Sequence, residues 1–444
     1  MSRISYFDLS TIQMSPLRPL VTIKIYLLLW TGAFLFAAII PFTHRSGSWA
    51  NAAALTAVYV ILSTTVAFAA QHVASGLCRG HVQTGVIAGR GGWGSIAPLL
   101  ALLGVVGVML ILVDRVHYQG IEYGSGIAGA REQWRQSGEE RQGRVSSVFS
   151  FVGNMIWPWA YISLGMILAG WESLRQFPRI LFLFVALASL LGFSTLNGGR
   201  TSLLLALAFI PCVGCARKRA GLSFLPRLFR NDKLLMAILS FAAVVYSSIL
   251  MSLRARMNDS TPRDYLMSFV TDMLGTETEF FVFIDQIAEA LGDWAYSFFF
   301  TLAQIPHPFW VFEEIINNPN HSGYILIAQP FYLLEKIGIT SISVPTWAYS
   351  GLFVSLPGAI YYDYGLVGLL IGAVVHGVCL GWAAANLCHF SSGFLRLTLI
   401  CAILIHSFLA PFIPAISVGP FMFLMFCLFV TSLTAVIWRR LIII

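Results

Sequence analysis

The chain has 444 residues, of which 57% are hydrophobic and only 11% charged, with a formal net charge of +7. Soluble domains carry about a quarter of their residues as charged side chains. This composition therefore excludes a water-soluble enzyme, and it makes the positive balance a membrane-orientation signal rather than a nucleic-acid footprint.

Apolar runs long enough to cross about 30 Å of hydrocarbon recur from end to end. Ten spans are predicted, at 21–41, 52–76, 95–113, 147–170, 180–196, 201–216, 234–251, 364–386, 396–412 and 418–438. The first is too long and too loosely flanked for a cleaved signal peptide and reads as a retained helix. The expected fold is an all-α, polytopic integral membrane protein forming one membrane domain over 1–444. Even span number puts both termini on one side. The segments on that side hold sixteen of the 27 basic residues but only Asp8, Glu172 and Asp232 among the 20 carboxylates. By the positive-inside rule it is cytoplasmic.

Three segments lie outside the spans. The first outer loop, 114–146, carries Arg115, Arg131, Arg135, Arg141 and Arg144, with early glycines and a helix-compatible second half. It reads either as a solvated cap or as a basic lid over an anionic substrate. The loop at 217–233 is the main basic cytoplasmic segment. The large outer loop, 252–363, sits between the seventh and eighth spans, and residues 251–363 hold twelve of the 20 carboxylates. Within it, Phe280, Phe281, Ile284, Ile287, Ala288 and Leu291 follow helical spacing while Asp285, Glu289 and Asp293 face elsewhere. That pattern is an amphipathic helix, packed on the bundle or lying at the interface. Trp294, Tyr296 and Phe298 to Phe300 add the aromatic content of headgroup level.

The tightest chemical signal is Asn197-Gly198-Gly199-Arg200-Thr201-Ser202, which interrupts an apolar stretch too long for one span. A glycine break leaves free backbone N–H groups, helix N-termini attract anions, and Thr201 and Ser202 are cap-forming residue types. Arg200 there has the planar fork that suits phosphate oxygens; the plainer reading is an arginine snorkelling from a helix end. Arg254 and Arg256 mark the exit of the seventh span, and Asn258, Asp259 and Pro262 predict a helix break beside them. Arg200 and this pair fall on one side at similar depth, where they would neutralise a pyrophosphate. Glu277 and Glu279 precede the amphipathic helix and read as first-turn acids or as a general base. His321 lies in the turn-rich Asn317-Asn318-Pro319-Asn320-His321-Ser322-Gly323 loop, where binding residues concentrate. His307, between two prolines, reads as structural. His72, His376 and His406 lie in spans, where a packing hydrogen bond is the default.

Other patterns are discounted. Gly89-Arg90-Gly91-Gly92-Trp93-Gly94 matches GxGxxG but precedes a span and follows no strand. Cys212 and Cys215 form a CxxC inside a span, without a second ligand pair, and read as helix packing. No outer segment has metal-ligand spacing, so no metal or other cofactor is expected.

Three local patterns carry a family resemblance over 180–410: Gly198-Gly199-Arg200-Thr201 followed by Leu203-Leu204-Leu205-Ala206; Asn320-His321-Ser322-Gly323; and Gly358-Ala359-Ile360-Tyr361-Tyr362-Asp363-Tyr364-Gly365-Leu366-Val367-Gly368 entering a late span. With the architecture, they resemble the Wzy-type oligosaccharide repeat unit polymerases of bacterial O-antigen and related polysaccharides. The resemblance implies a GT-C-like, metal-independent glycosyltransferase of the bacterial inner membrane with its site facing the periplasm. Its substrate would be an undecaprenyl-pyrophosphate-linked glycan, and its partners membrane lipids, a chain-length regulator and a flippase. Arg200, Arg254 and Arg256 would then hold the departing pyrophosphate, and His321 or one of Glu279 and Glu277 would act as base toward the acceptor hydroxyl. An O-antigen ligase shares that donor. A lipid-linked oligosaccharide flippase or other transporter would explain the spans too, but favours charges deep in the bundle. A non-enzymatic membrane partner would need no single arginine.

Overall fold

The computed structural model describes residues 20–39, 49–77, 93–140, 147–172, 174, 176–197, 201–219, 222–226, 232–257, 259–274, 280–317, 323–336, 353–387 and 394–443. Within these the chain is helical, without strands. In chain order the helices are α1 (Leu20–Ile39), α2 (Trp49–Leu77), α3 (Trp93–Val113), α4 (Ile127–Glu140), α5 (Val148–Ile156), α6 (Trp159–Ala169), α7 (Gln176–Asn197), α8 (Thr201–Arg219) and α9 (Asp232–Met257). Beyond them come α10 (Pro262–Leu274), α11 (Phe280–Leu291), α12 (Trp294–Ala303), α13 (His307–Asn317), α14 (Ala328–Lys336), α15 (Leu356–Asn386), α16 (Phe394–Leu409) and α17 (Gly419–Ile443). Among the described residues, seven stretches are long and apolar enough to cross a membrane: Leu20–Ala38, Ala50–Ser75, Ile96–Tyr118, Val148–Ala169, Phe177–Asn197, Thr201–Lys218 and Leu356–Asn386. The protein is a helical membrane protein. The other three expected spans fall on α9, α16 and α17.

Small residues set the closest helix contacts, as expected where lipid supplies no hydrophobic drive between helices. Gly377 and Gly381 of α15 bring its backbone against Ser63 and Ala67 of α2, and a Cβ on Gly377 would stand 2.5 Å from the Ser63 carbonyl oxygen. Gly104 and Gly107 of α3 do the same against Ala160 and Trp157. The expected span at 147–170 is broken at Trp157 and Pro158 into α5 and α6, because proline cannot continue the ladder of backbone hydrogen bonds.

Two departures from the predicted topology lie in the 252–363 interval, which is not a loop throughout. First, α12 runs back along α9: Ser252 Oγ meets Ser297 Oγ at 2.6 Å, and Ser248 Oγ donates to Thr301 Oγ1 at 3.3 Å. Ser248 is nine residues before the end of α9, so Thr301 lies about 13 Å inside that end. The chain turns at Gln304 to Pro306, and α13 returns outward. Phe309 of α13 sits with ring centroids 5.1 Å from Phe34 and 6.4 Å from Trp30, halfway along α1.

Second, the helix expected from 364 already starts at Leu356 and is broken at Gly365 (φ 67°, ψ −164°), a left-handed conformation that glycine alone adopts freely. The break is a reversal. Gly372 lies so close to Ile360 that a Cβ would stand 2.9 Å from its Cδ1. Leu356 N–H reaches the carbonyl of Ala410 at 2.8 Å, three residues past Ser407, whose hydroxyl meets His376 Nε2 at 2.8 Å. The 356–364 limb therefore runs antiparallel to the rest of α15, and its start lies level with the region just before His376. The starts of α13 and of this limb lie level too, since the rings of His307 and Phe353 are 6.4 Å apart.

At the opposite end, Arg217 belongs to α8 rather than to the expected 217–233 loop and is fully buried. It donates to Leu168 O (2.6 Å), to Ser223 O (3.0 Å) and to both oxygens of Glu172 (2.5 and 3.0 Å). Burial alone would raise the Glu172 pKa, but the guanidinium overrides it and holds the carboxyl below its usual value.

Candidate functional site

The apolar run of α3 ends in Asp114-Arg115, and there the helix widens into a π-turn, Asp114–Tyr118. Such turns are rare and frequent at functional sites. Both side chains are buried. A buried guanidinium needs acceptors, and Arg115 finds them at the end of α7. It donates to the carbonyl of Leu196 and to Oδ1 of Asn197, and its charge lies 4.5 Å from the ring centroid of Trp134 on α4. Asn197 Nδ2 is in turn bound to Phe193 O at 2.9 Å. Asp114 accepts from Ser147 Oγ at 2.5 Å and from the Gln119 amide. The polar cluster thus ties α3, α4, α5 and the last turn of α7 together.

That turn is the root of the glycine break. Arg200 itself, with Gly198 and Gly199, lies outside the described residues. Thr201 and Ser202 form the first turn of α8 instead of preceding it as caps. Ser202 is buried, its carbonyl accepts the Tyr161 hydroxyl at 2.7 Å, and its own Oγ has no hydrogen-bond partner among the described residues.

Arg254 and Arg256 both belong to the last turn of α9. The break predicted beside them comes after them, with Asp259 at φ 47°. Residues two apart on a continuous helix point about 200° apart; accordingly Arg254 is half-buried and Arg256 exposed. Arg200 lies outside the described residues, but the depth of the pair relative to the end of α7 follows from one contact. Ser194 of α7 and Tyr246 of α9 share a hydrogen bond at 3.1 Å. From that level α9 continues eight residues to Arg254, whereas α7 continues only three to Asn197. At 1.5 Å per residue, Arg254 stands about 7 to 8 Å farther out. The end of α7 at Asn197 is recessed relative to Arg254, and α4, which packs on both α7 and α9, bridges the two levels.

Glu277, Glu279 and His321 lie outside the described residues, but the turn just after the His321 loop is anchored. Asp363 accepts the backbone N–H groups of Ile325 and Leu326 through its two oxygens, each at 2.9 Å. It sits two residues before the Gly365 reversal, so this turn is fixed to the apex of α15. Farther along the interval, Arg263 of α10 makes a bidentate pair with Asp285 of α11, 2.9 Å at each contact, and Tyr296 of α12 donates to the same carboxylate at 2.7 Å. The Arg263 bonds, then the tyrosine, hold Asp285 below the usual carboxylate range, and Asp285 pushes Arg263 up.

Of the histidines in the spans, His376 behaves as a core group, whereas His72 is exposed. Ser407 donates to Ile403 O at 2.7 Å, so it accepts from Nε2–H of His376. Nδ1 is then the acceptor for the Tyr59 hydroxyl, at 2.7 Å. This chain of donors ends on a backbone carbonyl and is fully satisfied. Cys212 and Cys215 are both buried and free, with Cys212 Sγ directed at Ala208 O. Among the described residues no three His, Cys, Asp or Glu side chains cluster as a metal would require.

Asp114, Arg115, Asn197 and Asp363 do not stand out as site residues in the sequence. The signal for the first two is an ionic pair closing an apolar run of membrane length. Asp363 lies inside the 358–368 pattern, which by itself assigns it no role. Comparison of the chain with protein-family models, characterised proteins and solved structures gives no match.

Proposed function

We propose that the protein polymerises lipid-pyrophosphate-linked oligosaccharide repeat units into O-antigen or a similar surface polysaccharide, at the periplasmic face of the bacterial inner membrane. In this reading the ten helical segments all span, both termini are cytoplasmic and the architecture is of the GT-C type. The observation that carries it is the Arg115 clamp on Leu196 and Asn197. It secures the last turn of α7, recessed below the outer end of α9, with Arg254 about 7 to 8 Å above Asn197 and α4 across both. Arginine side chains reaching in from these two levels could converge on a pyrophosphate. Arg200 would meet the phosphate nearer the lipid, and Arg254 or Arg256 the one nearer the sugar, stabilising the charge that develops as the glycosidic bond to pyrophosphate breaks. The acceptor hydroxyl of the second repeat unit would lose its proton to His321, four residues before the Asp363-bound Ile325, or to Glu279 or Glu277. A chain-length regulator and a flippase are the partners this activity calls for.

The deciding experiment is a ladder assay on purified protein with lipid-linked repeat units. Wild type should yield polymer, and Arg200→Ala should leave single repeats at unchanged protein level; normal long-chain polymer from that variant would sink the reading. In cells, single-repeat caps on deletion indicate a polymerase, and loss of all caps a ligase.

A second reading is favoured by one specific feature. The starts of α13 and of the 356–364 limb both lie within the depth of the bundle, a pattern found in transporters built from interrupted helices. A lipid-linked oligosaccharide flippase of this kind would move substrate across vesicles without forming a glycosidic bond, which the same assay reads directly.

A further inference from the structure

Helix α11 has three kinds of side. Ile284 faces inward and is fully buried. Gln286 and Glu289 form an exposed side with polar groups, with Val282, 62% exposed, between them. Between these lies an apolar side open to the surroundings: Phe283 is 53% and Leu291 62% exposed, two helical turns apart, and Trp294 at the start of α12 is 40% exposed. The rings form one continuous sheet. Trp294 stacks on Phe298 at 5.2 Å, Phe298 meets Phe299 at 5.9 Å, and Phe299 meets Phe283 at 6.1 Å. The Arg263–Asp285–Tyr296 cluster stands beside it.

A patch of this size facing water would be unfavourable by about 25 cal/mol for each Å² of apolar surface, and soluble surfaces seldom present one. Its position names the occupant. Helix α12 lies along α9 down to the Ser248–Thr301 contact, about 13 Å inside the end of α9, which is about the depth of one hydrocarbon leaflet. The flank of α9 is itself apolar and open there: Ile249, next to Ser248, is half exposed. The aromatic sheet thus continues the lipid-facing side of a long bundle helix.

We propose that the α11–α12 face is a lipid-binding surface. Phe283, Leu291 and Trp294 rest in the outer leaflet at the headgroup–acyl boundary, Gln286 and Glu289 face water, and α12–α13 is a re-entrant pair. Aromatic rings at such a boundary and a polar opposite side are what an interfacial helix requires. This inference stands whether the protein is a polymerase or a transporter.

The test uses the full chain in nanodiscs of phosphatidylethanolamine and phosphatidylglycerol. Nitroxide labels are placed singly at Phe283→Cys, Leu291→Cys, Gln286→Cys and Glu289→Cys in a cysteine-free background that elutes as wild type. If that background does not, a genetically encoded nitroxide at the same positions in the native chain gives the same readout. The ratio of collisions with oxygen to collisions with a water-soluble nickel chelate should be several-fold higher at 283 and 291 than at 286 and 289. Nickel-dominated collisions at all four positions would place the face in water and overturn the proposal. Protection from both reagents at 283 and 291 would overturn it in favour of a protein partner, and oxygen-dominated collisions at all four would overturn the interfacial placement.

Discussion

The carboxylate of Asp363 accepts the backbone N–H of Ile325 at 2.9 Å through one oxygen, while its other oxygen takes the next N–H, that of Leu326, at the same distance. Two adjacent amides on one carboxylate make a rigid bridge between the apex of α15 and the turn after the His321 loop. Charge-assisted bonds of this kind contribute roughly 1.5–3 kcal/mol each. Asp363→Ala should lower the stability of the protein by about 2–3 kcal/mol. It should also speed proteolysis within 318–327 well before global unfolding. Asp363→Asn, which keeps one acceptor but loses the charge and sets an NH2 donor against the other N–H, should fall between. Thermal melts and limited proteolysis in detergent check both.

Arg115 supplies two hydrogen-bond partners that the end of α7 would otherwise lack. Lysine keeps the charge but cannot reach Leu196 O and Asn197 Oδ1 with one planar fork. Arg115→Lys is expected to lose most polymer in the ladder assay while remaining folded. Arg115→Met should be worse on both counts, destabilised by roughly 3 kcal/mol as buried acceptors go unpaired.

The Arg217–Glu172 pair gives a pH dependence with a definite sign. The folded Glu172 carboxyl titrates below its ordinary value of 4.5. Its contribution is therefore complete above that value and is lost as pH falls through the folded pKa. Wild type should lose stability on acidification below about pH 4.5, and Glu172→Gln should remove that part of the loss. The glutamate is largely exposed, so its own replacement should cost under about 1 kcal/mol. Arg217→Met, which strands the carbonyls of Leu168 and Ser223, should cost about 3–5 kcal/mol. Melting temperature against pH for the three proteins separates these effects.

Glycine packing between α2 and α15 predicts a contrast. At Gly381 an added Cβ would collide with the Ala67 carbonyl oxygen, whereas at Gly32 of α1 nothing lies within 4 Å. Gly381→Ala should destabilise by about 1–3 kcal/mol because two backbones must separate. Gly32→Ala should be neutral or stabilising by up to about 1 kcal/mol, since alanine is the better helix former. Fluorescence-detected size exclusion after heating reads the difference.

Hydropathy and charge along the chain were enough to determine a helical membrane protein, the approximate positions of most of its apolar helices and the amphipathic helix at 280–291. Each of these follows from local hydropathy and periodicity. Only the tertiary structure decided that 252–363 is not a loop throughout. The inward course of α12 depends on Ser248 meeting Thr301, and the reversal at Gly365 on Ile360 packing against Gly372. No local pattern encodes either contact. The same holds at the candidate site. Arg200 stood out because two glycines precede it in sequence, whereas Arg115 and Asn197 are 82 residues apart and acquire their role only when α3 and α7 pack. A buried charge must find its acceptors wherever the fold brings them, and that choice is made in three dimensions.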